Sequence, residues 1–329
     1  MIAQRRIETP IVLFGFIFVL LFSYLTYSTI GFRHLLVFLI GIGLGFVLYK
    51  SAFGFTGGWR NFIEKKDSSA LRAQFLMLGL GVIVFSFVIG TKSFVYDGLI
   101  VGAIAPVSLS VVIGSFMFGF AMQLGGGCGS GTLFTAGSGN VKMAVTLLFF
   151  IIGSLAGTYN FTFWSSLPSL GGISLLDNYT LSNVLLFQLS LISVLYATVF
   201  IIDKKNNKTV NHNNIFIFTS SNLLKDPWPL FAGSALLVFF SFLMLQAAGH
   251  PWSVTFSFGL WGAKLAAFSG IDVASWDYWQ LSYPAIALEN SLLADPTTVS
   301  NLGIILGALI ASALAGNFAN QASINKKLL

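Results

Sequence analysis

Long apolar runs separated by short polar or glycine-rich breaks divide the chain at residues 10–30, 35–49, 75–90, 109–124, 141–157, 184–202, 230–248 and 302–315. Each approaches the ~20 residues that an α-helix needs to cross a bilayer's hydrocarbon core. The pattern predicts an all-α polytopic membrane protein, a single integral domain over residues 1–329, with eight clear spans and room for a ninth. The apolar run 255–268 is too short for a full crossing and reads as a re-entrant or half-crossing helix. The first run follows Arg5 and Arg6, as a signal peptide would, but it is long and lacks a small-residue cleavage site, so it is expected to be retained.

Composition agrees with the pattern: 56% of residues are hydrophobic and 9% charged, a balance suited to lipid. Charge placement then orients the spans. Arg5 and Arg6; Arg60, Lys65, Lys66 and Arg72; Lys142; Lys204, Lys205, Lys208 and Lys225; and Lys326 and Lys327 fall on alternate loops. Cytoplasmic loops carry the excess of Lys and Arg, so both termini and the loop 203–228 are predicted cytoplasmic. The opposite loops 158–182 and 269–300 contain neither residue type, and the other outside loops contribute only Arg33 and Lys92. The net charge of +6 is thus largely a topology signal, and no soluble basic patch supports nucleic-acid binding.

Several chemistries are excluded or weakened. One cysteine rules out an intrachain disulfide and a multi-cysteine zinc site. His34, His212 and His250 are scattered over different loops, which gives a metal cage little support, and no other cofactor is implied. A Walker-type loop is missing, so ATP-driven transport would require another subunit.

The residue pattern that remains is the tract Gly125-Gly-Gly-Cys-Gly-Ser-Gly-Thr132, which holds the lone Cys128 between two apolar runs. Backbone that leaves the helix at membrane depth must be buried in protein or line a polar cavity. Gly126, Gly127, Gly129 and Gly131 let the chain turn there, and a short helix beginning near Ser130 and Thr132 would offer an anion its positive end. A register shift of 74 positions superposes Gly45-Phe46 on Gly119-Phe120, Gly57 on Gly131, Phe75 on Phe149 and Gly79 on Gly153. It also sets Gly54, in the segment holding Thr56 and Gly57, opposite Cys128. The duplicated units run roughly over 35–98 and 109–172. Paired glycine interruptions in two repeats are the usual pointer to a midplane binding site.

Plainer readings compete with this one. Glycines in membrane helices often serve close packing, and a buried cysteine behaves as a small apolar residue; the crowding of five glycines around Cys128 favours the path reading. Lys264, inside the run 255–268, either snorkels to an interface or attracts an anion at the mouth of the path. Arg60 and Asn140 close the two hairpins on the cytoplasmic side; Arg60 reads first as a topology determinant. Trp59, Trp252, Trp261, Trp276 and Trp279 read as interface aromatics. The acidic Asp272, Asp277, Glu289 and Asp295 are expected away from any anion entrance.

The stretch Phe118-Gly-Phe-Ala-Met-Gln-Leu-Gly-Gly-Gly-Cys-Gly-Ser-Gly-Thr-Leu-Phe134, followed by Gly139-Asn140, closely resembles the cysteine motif of the YeeE/YedE sulfur-transport family. Phe53-Gly-Phe-Thr-Gly-Gly-Trp-Arg-Asn61 with Arg72 resembles that family's other half-motif, and Gly249-His-Pro-Trp252 with Leu260-Trp-Gly-Ala-Lys264 a third. The resemblance implies a bacterial inner-membrane permease for thiosulfate or a related sulfur species, with selenium compounds in some branches, and a cytoplasmic sulfur-carrier protein as partner. It further implies that cysteines along a narrow path relay the anion through S–H hydrogen bonds. The match is incomplete. Gly54 stands where the family commonly has cysteine, and no further glycine-cysteine motif occurs before Leu329, so Cys128 alone can act as a relay thiol unless a partner chain supplies another. Two other classes stay open: a membrane enzyme forming a persulfide on Cys128, which needs an activating base, and a non-transporting scaffold acting through the loop 203–226.

Overall fold

The computed structural model describes residues 6–91, 104–206 and 223–319. Arg5, Lys92, Lys208, His212, Lys326, Lys327 and much of the loop 203–228, all used in the sequence argument, lie outside the described residues.

Four helices open the described chain: α1 (Thr9–Thr29), α2 (Phe32–Ser51), α3 (Phe55–Lys65) and α4 (Ser69–Thr91). A short strand β1 (Pro106–Ser108) precedes α5 (Leu109–Gly125), α6 (Gly129–Gly137) and α7 (Val141–Tyr159). The small helices α8 (Phe161–Ser165) and α9 (Leu175–Asn178) flank strand β2 (Ser169–Gly172). Then come α10 (Leu181–Asn206), α11 (Leu230–Ala248), α12 (Thr255–Phe268), α13 (Ser282–Glu289) and α14 (Pro296–Leu314). β1 and β2 pair antiparallel, with Pro106 opposite Gly172 and Ser108 opposite Ser169.

Among the described residues eight helical segments are long and apolar enough to cross a membrane, and each contains or overlaps one of the eight runs predicted from the pattern. The Glu8 amide donates to the Ala313 carbonyl over 3.0 Å, so the start of α1 and the end of α14 share one side. At the opposite end, His34 Nε2 lies 3.1 Å from the Ala294 carbonyl and Arg33 donates to the Ala247 carbonyl.

The core forms where α2 meets α14, and small residues make that approach feasible. A β-carbon at Gly45 would land on the Ile304 carbonyl, and one at Gly307 on the Ile42 carbonyl. Without a hydrophobic force between helices in lipid, this close backbone contact is what association rests on. Phe38, Leu44, Leu48 and Ile304 are fully buried around it. By contrast α5 and α7 bury no residue at all, and Phe116 and Phe149 point outward, as expected of helices that face acyl chains.

One expectation, about the aromatic residues, is corrected. Trp279 is buried and donates to Thr158 Oγ1, and the half-buried Trp261 packs on the core and donates to Thr298 Oγ1, so both are core anchors and not interface aromatics, their indole N–H groups satisfied by threonine hydroxyls inside the protein. Asp295 is also buried: it caps α14 by accepting from the Thr297 and Thr298 amides and accepts from Tyr283 Oη at 3.0 Å. Burial, reinforced by the neighbouring Asp295 carboxylate, pushes the Tyr283 hydroxyl up from its ordinary pKa, keeping it a neutral donor.

Candidate functional site

The two glycine motifs fold into the same local shape. α2 ends on Ala52 in the left-handed region (φ 47°), and α3 starts from Gly54, whose backbone is extended. α5 ends on Gly126 (φ 81°), and α6 starts from Cys128, again extended. The pairs Ala52 and Gly126, and Gly54 and Cys128, are those of the 74-residue register. Glycine removes the steric penalty of positive φ at Gly126; Ala52 carries it.

Both hairpins open onto one cavity of about 450 Å³, within the range of small-molecule sites. Gly54, Thr56 and Gly57 line it from the first hairpin; Gly126, Gly127, Cys128 and Gly131 line it from the second. Cys128 is 8% exposed, and its Sγ lies 3.6 Å from Ser130 Oγ, within sulfur hydrogen-bond reach. The Thr132 amide closes the first turn of α6 on the Cys128 carbonyl at 2.8 Å. The amides at the start of α6 have no carbonyl one turn back, which leaves donors at the positive end of the helix beside the cavity.

Polar side chains around the tract have unused capacity. Thr56 Oγ1 and Asn317 Oδ1, both on cavity-lining residues, are buried without a hydrogen-bond partner, as is Thr132 Oγ1 in the tract itself. Such groups cost roughly 1–3 kcal/mol when nothing satisfies them, so their clustering marks a place built to hold something polar.

Other predicted residues are distributed differently. Gly129 packs toward Val254 and Thr255 at the entry to α12, so it serves close approach and not lining. Ser130 and Thr132 flank Cys128 without lining the cavity. Lys264 also stays outside it: its ammonium donates to the carbonyls of Leu288 and, at 2.8 Å, Asn290, which satisfies the charge at the outer end of α13. Lys264 therefore does not supply charge to this cavity. Arg60 does more than set topology, donating to the Gln123 carbonyl at 2.9 Å and so tying α3 to α5.

Among the described residues the cations that line the cavity are Lys50 and Lys225, neither of which was singled out from the sequence as a site residue. Lys50 stands three residues before the first hairpin motif, and that proximity was the available signal. Asn61 and Tyr49 join the lining from the same region.

The model of a family described as Sulphur transport matches residues 50–329. A relative named thiosulfate transporter TsuA, from Spirochaeta thermophila, is 25% identical over 292 residues, covering 85% of this chain and 78% of its own length. A second protein of that name, from Escherichia coli, is 32% identical over 115 residues, covering 35% of this chain and 31% of its own length.

Proposed function

The chain belongs to the Sulphur transport family, and from that premise we propose that it takes up a small sulfur-containing anion, most simply thiosulfate, through the cavity shared by its two glycine hairpins. The observation that carries this reading is the convergence of Gly54 and Cys128, 74 positions apart, on one cavity whose lining includes an unpartnered threonine hydroxyl. The substrate class follows the two relatives named as thiosulfate transporters.

The chemistry of the lining suits a releasable anion. The anion reaches Cys128, whose thiol is a weak donor, and takes further donors from the start of α6 and from Thr56 Oγ1. Conduction needs binding favourable enough to enter and weak enough to leave. Exit toward the side bearing Arg60, Lys65 and Lys66 follows the positive-inside orientation. There a cytoplasmic sulfur-carrier protein would receive the product. A single thiol cannot form a multi-cysteine relay, so hydroxyls, amides and lysines carry the rest of the path.

A persulfide-forming enzyme would need a base beside Cys128, and for that the described cavity lining offers lysines but no histidine and no carboxylate. The test is uptake of radiolabelled thiosulfate by proteoliposomes holding the pure protein, with sulfate and selenium oxyanions as competitors. Flux that survives unchanged in Cys128→Ala would refute the thiol contact, and absence of thiosulfate flux in the wild-type protein would refute the substrate.

A further inference from the structure

The cytoplasmic wall of the cavity contains a charged contact that the reading above leaves unused. Lys50 sits in the last turn of α2, is 2% exposed, and lines the cavity. Its Nζ donates to the Leu224 carbonyl at 2.8 Å, in the segment leading into α11. Asp226 of that segment interacts with it electrostatically. The segment is held to α2 in two further ways: the Trp228 amide donates to the Lys50 carbonyl at 2.8 Å, and the Trp228 ring lies 5.6 Å from that of Phe46. Lys225 and Pro227 of the same segment line the cavity, so the segment closes part of its wall.

A buried ammonium in a transport cavity is costly unless it is paired or meets a substrate. Here its hydrogen-bond acceptor is a neutral carbonyl on a segment without helical backbone, and an anion beside Cys128 offers a stronger, charge-assisted one. We propose that Lys50 is an anion-binding residue of the cavity and that its bond to Leu224 tethers the segment 223–228 as a cytoplasmic gate, released when the anion draws the ammonium away. This rests on the uptake reading for the anion but not for the tether.

The experiment uses the full-length protein and two variants, Lys50→Gln and Lys50→Arg. In thiosulfate uptake, K50Q should raise KM about tenfold, the scale of a lost hydrogen bond to a charged group, while K50R keeps most of the affinity. In inside-out vesicles without substrate, a membrane-impermeant maleimide should label Cys128, the only cysteine, several-fold faster in K50Q than in wild type, because the untethered segment opens more often. An unchanged KM in K50Q overturns the anion-binding role. An unchanged labelling rate overturns the gate. If K50Q fails to fold, Lys50→Met, which removes the charge and keeps the unbranched chain, takes its place on the same terms: an unchanged KM sinks the anion role, and an unchanged labelling rate sinks the tether. Wild-type protein without thiosulfate flux would defeat the uptake reading alone, since the labelling comparison needs no substrate.

Discussion

Gln123 and Thr56 join the two halves of the site: the side-chain amide of Gln123, near the end of α5, donates to the Thr56 carbonyl in α3 at 3.3 Å. Arg60 completes the link by donating to the Gln123 carbonyl. On the first hairpin's other flank, Gln74 of α4 donates to the Gly54 carbonyl at 3.2 Å. The Gly54 and Thr56 carbonyls of the first hairpin thus accept from glutamine amides of neighbouring helices, and the end of α5 accepts from Arg60. The two hairpins are therefore joined beside the cavity, through the Thr56 carbonyl of its lining.

Gln123→Ala should disturb transport more than stability. The lost hydrogen bond is worth about 1 kcal/mol, while the Thr56 carbonyl it leaves sits beside the cavity. A thermal-shift measurement is expected to show a small fall and an uptake assay a large one; a large fall in stability with full uptake per folded molecule would contradict the coupling.

Thr56→Val removes a hydroxyl that has no partner in the protein and keeps the side chain's shape. Stability should hold or rise, because a buried unsatisfied group is replaced by a methyl, while the KM for thiosulfate rises. Unchanged KM would show that the hydroxyl does not meet the anion.

Lys264→Gln is expected to leave thiosulfate KM intact, since the ammonium is held by Leu288 and Asn290 carbonyls away from the cavity. The cost should appear instead as a loss of roughly 1.5–3 kcal/mol of stability, the range for hydrogen bonds to charged groups. Denaturation midpoints compared with uptake kinetics separate the two outcomes.

Gly307→Val should prevent the close seating of α14 on α2, because any β-carbon there meets the Ile42 carbonyl. Much reduced levels of folded protein in detergent size-exclusion profiles are expected, whereas Gly153→Val, where a β-carbon meets nothing within 4 Å, should be neutral.

Residues differ in how visible their roles were along the chain. The spans were legible because about 20 apolar residues in a row leave a membrane protein few alternatives. The 74-residue echo was legible through its glycines, and the local geometry at Gly54 and Cys128 repeats it. Lys50 was not, because a lysine at the end of a span looks the same whether it faces lipid headgroups or a cavity. Lys264 illustrates the converse: its cost in an apolar run was correctly apparent, but a backbone carbonyl acceptor more than twenty positions away carries no sequence signature.

What the sequence determined by itself is the membrane architecture and the paired glycine breaks that hold Gly54 and Cys128, because hydropathy, glycine and charge placement act locally and leave their mark residue by residue. Only the tertiary structure decided that both hairpins share one cavity, that Lys50 and not Lys264 charges its wall, and that segment 223–228 closes part of it. These depend on which helices pack together, and that is set by small-residue contacts such as Gly45 on Ile304 and by single hydrogen bonds between distant positions.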